Sequence, residues 1–150
     1  MSPPAHSTID ERVVDIRRAV AHLGRRLRAE RSDRSVSTGK ISVLGHLIRR
    51  GPMTPGELAA AEFVQPQSLS RLLAELEQAG LVSRTPDAID RRQYLVAITA
   101  EGRRTVARDV AGRDAWLSQA MDSLTVAERE ILHIAATLMD RLADTDAPLD

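Results

Sequence analysis

The chain starts one short helix at Thr54 and a second at Pro66, with only a tight turn between them. Thr54 is a good N-cap, a proline follows at the first helical position, and Glu57 completes a capping box. Phe63 to Gln65 predicts the turn. Gly80 ends the second helix, because glycine readily adopts the left-handed conformation found at helix C-termini. The spacing therefore predicts a helix-turn-helix.

A β-hairpin follows the second helix without a linker. Leu81–Arg84 and Tyr94–Ile98 predict two short strands, and the connection between them contains Asp90-Arg91-Arg92. A helix-turn-helix followed directly by a charged hairpin is a winged helix-turn-helix. The second helix of this fold buries one face in the core and offers the other to the major groove of DNA.

Longer helices flank this segment on both sides. On the N-terminal side, a helix that precedes Thr54 carries its apolar residues between Ile41 and Ile48. Thr99 caps a long helix that reaches about Ser123, and Thr125 with Glu128 forms a capping box that begins the last helix. The first helix has a narrow apolar stripe that needs a partner helix, from the same chain or from a second copy: Ile9, Val13, Ile16, Val20, Leu23 and Leu27. The expected fold is mostly α-helical with one small β-hairpin, the wing.

Composition excludes several classes of function and location. The chain has no cysteine, which excludes thiolate catalysis, cysteine-based redox sensing and cysteine-ligated zinc. No apolar run approaches the length of a membrane span, so no membrane partner is expected. Residues 1–10 lack the apolar core of a secretion signal, and residues 1–8 are expected to be a disordered lead-in. The expected location is the cytoplasm.

Nothing in the sequence indicates an enzyme, a metal site or a cofactor. No Ser/His/Asp arrangement, glycine-rich phosphate loop or metal-ligand cluster is found. His22 and His46 fall opposite the apolar stripes of their helices, which predicts an exposed structural role for both. Capping and solvation explain Glu57 and Glu62 better than acid–base catalysis does.

The formal net charge is zero, but the charges are segregated along the chain. Residues 12–50 carry eleven basic and three acidic side chains, whereas residues 109–150 carry three basic and nine acidic ones. A neutral protein with this distribution can still present a basic face to phosphates. Segregated charge can equally pair helix with helix inside a dimer, and charge alone does not choose between the two.

One face of the helix that begins at Pro66 is polar. Taking Leu69 as the direction of the core, the opposite face carries Gln67, Ser70, Arg71, Ala74 and Gln78, and Ser68 lies beside it near the N-terminus. Glutamine can read adenine and arginine can read guanine through paired hydrogen bonds, and a serine suits a phosphate or a base edge. A plain solvated helix face is the alternative interpretation.

The tip of the wing adds a second candidate contact, Asp90-Arg91-Arg92. Arginine is the side chain best suited to a narrow, electronegative minor groove. A neighbouring aspartate can hold such an arginine extended and reduce the entropy lost on binding. The alternative is a surface salt bridge of the kind common in loops.

From residue 68 to residue 102 the chain carries a fixed order of small, aliphatic and charged residues: Ser68, Leu69 and Arg71, then Leu76-Glu77, Gly80-Leu81-Val82, Asp90-Arg91-Arg92 and Thr99-Ala100-Glu101-Gly102. This order resembles the signature of the MarR family of bacterial winged helix-turn-helix transcriptional regulators. The flanking helices follow the family's order across about Ile9 to Ala143. The match covers the second predicted helix, the wing and the start of the long helix, so we regard the resemblance as specific.

The resemblance implies one domain over residues 1–150. Residues 9–30 and 125–143 would be dimerisation helices, residues 38–100 the winged helix-turn-helix core, and residues 99–123 a long linking helix. The implied protein is a homodimer on double-stranded DNA, with its recognition helices in successive major grooves of a near-palindromic operator.

The resemblance also implies roles at the wing and for a ligand. The wing arginine would enter the flanking minor groove, a role carried to Arg92 first and Arg91 second, with Asp90 orienting it. A small phenolic or anionic effector would bind between the dimer region and the DNA-binding lobe and release the protein, expected to be a repressor, from its operator. A winged-helix module for protein–protein interaction, without specific DNA binding, is the competing hypothesis.

Overall fold

The computed structural model describes residues 10–31, 34–90 and 92–145. The elements in chain order are α1 (Glu11–Ala29), α2 (Thr38–Arg50), α3 (Pro55–Ala61), α4 (Pro66–Gln78), β1 (Val82–Pro86), β2 (Tyr94–Ile98), α5 (Ala100–Met121) and α6 (Val126–Ala143). The chain divides into two compact units, with the boundary between Arg113 and Asp114. The predicted lead-in over residues 1–8 and the predicted stripe residue Ile9 lie outside the described residues.

The capping boxes expected from the sequence are present at two helix starts. The backbone N–H of Glu57 donates to Thr54 Oγ1 at 3.2 Å, and the backbone N–H of Thr54 donates to Glu57 Oε2 at 2.8 Å. Thr125 and Glu128 make the same reciprocal pair at the start of α6. These bonds satisfy amide groups that a helix leaves without an intrahelical partner, which is why the sequence signal located both starts.

The hydrophobic core of the first unit lies between α2, α3, α4 and the hairpin. Its largest fully buried apolar side chains are Leu44, Leu47, Leu58, Leu69, Leu73, Leu76, Val43 and Val96. The predicted apolar faces of α2 and α4 therefore point inward as expected. One position differs from the prediction: Ile48 is 38% exposed.

The wing is a two-stranded antiparallel sheet in which Val82 pairs with Ile98 and Pro86 with Tyr94. Met53, in the segment between α2 and α3, forms an additional bridge to Val96 that the sequence did not predict. Their backbone groups exchange hydrogen bonds of 3.0 and 2.8 Å. Because Val96 is fully buried, this bridge anchors the base of the wing in the core.

Thr99 and Gly102 join the start of α5 to the end of α4. The Thr99 hydroxyl donates to the carbonyl of Gly80 at 2.7 Å and accepts from the backbone N–H of Gly102 at 3.0 Å. A side chain at Gly102 would collide with the carbonyl of Leu81, so only glycine allows this approach. The Thr-Ala-Glu-Gly segment is thus a structural joint between α4 and α5.

Two of the helices carry exposed apolar faces. On α1, Val13, Ile16, Val20 and Leu23 are between 45% and 56% exposed, and on α6 the same holds for Ile131, Ile134, Leu138 and Leu142 at 49% to 66%. Neither helix contains a residue classed as buried among those described. Within the described ranges, no helix combines the length and apolar character needed to cross a bilayer.

The expectation of an exposed His46 is wrong. Its side chain is 14% exposed, and its Nε2 lies 3.0 Å from Glu62 Oε1. Burial against the end of α3 lowers the pKa of His46, and the guanidinium groups of Arg49 and Arg50 lower it further, while Glu62 raises it. The ring is therefore neutral near pH 7. His22 on α1 is exposed, as expected.

Candidate nucleic-acid interface

The predicted contact residues of α4 are all exposed. Gln67, Ser68, Ser70 and Arg71 lie on the outer side of the helix. The inner side packs into the core through Leu69, Leu73 and Leu76, each no more than 2% exposed. The core therefore fixes the rotation of α4 about its axis, and that rotation brings the four polar side chains together on one surface.

The N-terminus of α4 has no side-chain cap. Gln65 is the N-cap residue, but its side chain accepts no hydrogen bond there. The Ser70 hydroxyl donates to the carbonyl of Pro66 at 3.0 Å, which leaves the Ser70 oxygen free to accept. A helix start with uncapped amide groups suits a phosphate, because its partial positive charge attracts anions.

Arg71 carries the one positive charge on α4, and it is paired. Its Nε lies 3.2 Å from Glu75 Oε1, with the arginine side chain 87% exposed. The second carboxylate oxygen, Glu75 Oε2, lies 2.8 Å from Nζ of Lys40 on α2. Lys40 and, less strongly, Arg71 hold the pKa of Glu75 below its usual value. The three side chains thus form a continuous chain of ion pairs from α2 to the exposed polar face of α4.

Two aspartates shape the backbone at the wing tip. Asp87 Oδ1 accepts from the backbone N–H of Ile89 at 2.8 Å, and Asp90 Oδ1 accepts from the backbone N–H of Arg92 at 3.0 Å. Asp90 Oδ2 also accepts from the side chain of Gln93 at 3.3 Å. The two bonds to backbone N–H groups are Asx turns, which order a loop without a sheet partner.

The contacts of Asp90 differ from the expected role. We expected its carboxylate to orient the side chain of an adjacent arginine, but at Arg92 it binds the backbone N–H. Arg92 itself is exposed, and among the described residues its guanidinium has no hydrogen-bond or ion-pair partner. Arg91 lies outside the described residues. Asp90 therefore positions Arg92 through the turn.

Arg84 connects the wing to α4, a contact that the sequence did not predict. Its Nε lies 2.9 Å from Oε2 of Glu77 on α4, and its guanidinium carbon lies 4.7 Å from the centre of the Tyr94 ring. Arg84 and Tyr94 sit on neighbouring strands, and the alternation of β-strand side chains could have indicated their contact. The link to Glu77 depends on tertiary packing.

A cavity of about 380 Å³ lies between α1, α2 and the first half of α5. Its walls combine aliphatic side chains, three arginines and two hydroxyl groups: Gly24, Leu27, Arg28, Thr38, Ile41, Ser42, Gly45, Arg49, Val106, Val110 and Arg113. Its size suits a small organic molecule. The arginines give the walls a positive character, which favours an anion.

Arg113, at the edge of this cavity, is paired with a buried carboxylate. Asp109 is 1% exposed and binds Nη2 of Arg113 through one oxygen and Arg31 through the other. The Nε of Arg113 is buried and has no hydrogen-bond partner among the described residues. The carboxylate thus holds in place one of the cations that line the cavity.

In the part of the chain that the structure describes, no group of three or more His, Asp or Glu side chains is placed to hold a metal ion. The candidate interface therefore consists of exposed amide, hydroxyl and guanidinium groups on α4 and at the wing tip. Such groups recognise phosphates and base edges through hydrogen bonds.

Comparison with known sequences places the chain among transcriptional regulators. A family model described as the MarR family matches residues 35–93. An HTH-type transcriptional regulator of Mycobacterium tuberculosis is 40% identical over 130 residues, covering 87% of this chain and 91% of the relative. The HTH-type transcriptional repressor MdtR of Bacillus subtilis is 29% identical over 144 residues, covering 91% of each chain.

Solved structures show the same fold. A transcriptional regulator protein from Pseudomonas aeruginosa is 37% identical, with a TM-score of 0.74 over 91% of this chain and 96% of its own. A variant of MepR from Staphylococcus aureus, solved bound to an oligodeoxyribonucleotide, is 22% identical, with a TM-score of 0.59 over 85% of this chain and 94% of its own. The six helices and two-stranded wing described above match this architecture.

Proposed function

The chain belongs to the MarR family of winged helix-turn-helix transcriptional regulators, which are DNA-binding proteins and not enzymes, and we propose that it is a homodimeric repressor of a near-palindromic operator. The observation that carries the proposal is the division of α4 into two faces. One face is buried in the core, and the other exposes Gln67, Ser68, Ser70 and Arg71.

In the proposed complex, α4 enters the major groove. Gln67 and Arg71 are the base-reading candidates, because an amide can pair with adenine and a guanidinium with guanine. Ser68 and Ser70 lie at the helix start, near the phosphates. The wing arginine, Arg92 in the first place and Arg91 as the alternative, enters the flanking minor groove, whose negative potential attracts arginine. Asp90 keeps the tip in the required turn.

Exposed apolar faces support the homodimer. The α1 stripe at Val13, Ile16, Val20 and Leu23 and the α6 face at Ile131, Leu138 and Leu142 are too extensive for an isolated soluble chain. A second copy would cover equivalent faces by symmetry. Two recognition helices related by a two-fold axis then require an operator with matching half-sites.

Two further observations support repression relieved by a small molecule. The relative MdtR is named a transcriptional repressor. The cavity between α1, α2 and α5 is lined by aliphatic side chains and by Arg28, Arg49 and Arg113, which suits an aromatic or aliphatic body with an anionic group. We propose that such an effector occupies this cavity and weakens binding to the operator.

A fluorescence-anisotropy titration tests the DNA-binding proposal. The probes are duplexes from immediately upstream of the protein's own gene, with scrambled duplexes as controls, at several salt concentrations. We expect tighter binding to a native duplex, steep weakening with salt and saturation at two chains per site. Equal binding to all native and scrambled duplexes at every salt concentration would favour a protein-interaction module over an operator-binding regulator.

Salicylate is a suitable first probe of the cavity because it combines an aromatic ring with a carboxylate. Calorimetry on the wild type and on Arg28→Met, which leaves the Asp109 network intact, would show whether an anion binds there. Loss of binding in the variant supports the assignment, whereas unchanged binding would place the anion elsewhere.

A further inference from the structure

An acidic residue lies next to the exposed polar face of α4, and the DNA-binding proposal does not use it. Glu75 stands one turn after Arg71 on α4 and is paired with it. A carboxylate near DNA repels phosphates, so its presence beside the one cation of the recognition helix requires an explanation. Its second oxygen is bound by Lys40, which lies on a different helix.

We propose that Glu75 is a positioning residue that holds the guanidinium of Arg71 ready for a base, and that Lys40 holds Glu75 in turn. The inference rests on the proposed DNA-binding function and adds two residues to it. Neither Glu75 nor Lys40 belongs to the exposed polar face from which the recognition residues were predicted.

The atoms used in the Arg71–Glu75 pair support this role. The carboxylate contacts Nε of Arg71, on the side of the guanidinium nearest the main chain. The terminal Nη1 and Nη2 groups have no partner among the described residues and stay available. The O6 and N7 atoms of guanine are two adjacent acceptors, and they can accept hydrogen bonds from two parallel donors such as these. Glu75 thus fixes the side chain without occupying the atoms that would read the base.

Fixing the side chain before binding has a physical benefit. An exposed arginine samples many rotamers, and ordering it on the DNA costs conformational entropy. A partner on the same helix restricts those rotamers in the free protein, so less entropy is lost on association. The arginine side chain is 87% exposed, which leaves no packing contact to restrict it in the same way.

Lys40 orients the carboxylate of Glu75 and offsets its negative charge. Its Nζ lies 2.8 Å from Glu75 Oε2 and keeps the other oxygen turned toward Arg71. Its positive charge also offsets the negative charge that Glu75 would present to phosphates. The start of α2 lies against α4 at this point, because a side-chain atom added at Gly39 would meet Leu72 Cδ1 at 3.7 Å. Lys40 therefore approaches Glu75 from a neighbouring helix.

The test compares discrimination between bases, since a merely structural role would leave it unchanged. The probe is a duplex selected by the wild-type protein from a random-sequence library, together with single-base variants of that duplex. One base pair is identified as dependent on Arg71 through Arg71→Ala. We expect Glu75→Gln to reduce discrimination at that base pair by about threefold to tenfold, in the lower part of the range for contacting residues in one network. Affinity for unrelated duplexes should not fall.

The matched control is Glu77→Gln. Glu77 lies on the same helix, has a similar exposure and carries the same charge, but it pairs with Arg84 instead of Arg71. This control should keep discrimination at the Arg71-dependent base pair. In the Arg71→Ala background, Glu75→Gln should have no further effect on discrimination. Lys40→Met should act in the same direction as Glu75→Gln.

Lys40 is the only lysine in the chain, so its ammonium group gives a single side-chain signal in ¹⁵N NMR. We expect Glu75→Gln to shift that signal and Glu77→Gln to leave it in place. An unshifted signal, or equal loss of discrimination with and without Arg71, would overturn the positioning role. A wild-type protein that selects no duplex would overturn the proposed function itself and this inference with it. A wild type that selects one, together with an inert Glu75→Gln, overturns the inference alone.

Discussion

The carboxylate of Asp109 on α5 accepts a hydrogen bond of 2.6 Å from Nε of Arg31, which follows α1. The Arg31 side chain is 10% exposed and also donates to the carbonyl of Val36 and the hydroxyl of Thr38. One arginine therefore ties the end of α1, the segment before α2 and the first half of α5 together. The same carboxylate binds Arg113, which lines the cavity.

Replacing Asp109 should destabilise the protein strongly. Asp109→Asn removes the charge that compensates two arginines, one of them largely buried, and leaves their positive charge unpaired. Breaking a buried ion pair from one side costs about 3 to 5 kcal/mol. Urea unfolding followed by circular dichroism would measure the change. The exposed Asp114→Asn on the same helix is the control and should stay within about 0.5 kcal/mol of the wild type. A similar stability of both variants would contradict the structural role of the network.

Charges on the exposed apolar faces should separate the proposed dimer. Leu23→Glu on α1 and Leu138→Glu on α6 would each bury a charge at the interface, at a cost of ~3 kcal/mol or more. We therefore expect at least about a hundredfold weaker association in size-exclusion chromatography with light scattering. Ile89→Glu changes a side chain that is 96% exposed at the wing tip and should remain dimeric. Intact dimers for both Leu23→Glu and Leu138→Glu would contradict the proposed interface.

The two arginine contacts should respond differently to truncation. Arg92→Ala should weaken binding to all duplexes alike and reduce the salt slope by about 1, because a backbone or minor-groove contact carries little base information. Arg71→Ala should cost about 1 to 3 kcal/mol at one base position. Anisotropy with single-base duplex variants distinguishes the two patterns. Arg141→Ala on α6 removes the same charge as a control. Uniform weakening by Arg71→Ala would assign that residue to a phosphate.

Stability should depend on the protonation of His46. Its neutral ring accepts at Nδ1 from Nη2 of Arg49 at 3.3 Å and faces Glu62 through Nε2, so protonation would remove the Nδ1 acceptor. Burial lowers the folded-state pKa below the ordinary value of 6.5. The stabilisation is therefore present above about pH 6.5 and is lost as the pH falls through the folded-state pKa.

Unfolding free energies at about pH 7.5 and about pH 5.5 test this dependence. The decrease on acidification should be smaller in His46→Gln than in the wild type. His22→Gln, at an exposed position on α1, should behave as the wild type does. An identical pH dependence for His46→Gln and the wild type would show that protonation of His46 does not affect the free energy of unfolding.

Local signals located most of the secondary structure. The capping boxes at Thr54 and Thr125, the glycines at positions 51 and 80, and the apolar spacing of α4 each predicted an element that the structure contains. Such signals act within one turn of chain, so they are readable without knowledge of the fold. The exposed face of α4 followed from the same periodicity, because a helix that buries one side must expose the other.

Contacts between distant segments were not predictable in the same way. Nothing near Asp109 in the chain indicates that Arg31 approaches it. The bridge between Met53 and Val96 and the contact between Lys40 and Glu75 were missed for the same reason. Each joins residues far apart in sequence, and the partner depends on how the helices pack.

The sequence by itself determined the order of helices and strands, the apolar faces and the family, since these depend on local conformational preference and on residue spacing. Only the tertiary structure decided which polar groups lose contact with water and which partners they then acquire. Desolvation makes an unpaired buried charge costly, so packing selects the arginine partners of Asp109. That selection depends on three-dimensional proximity, which no single segment of the chain encodes.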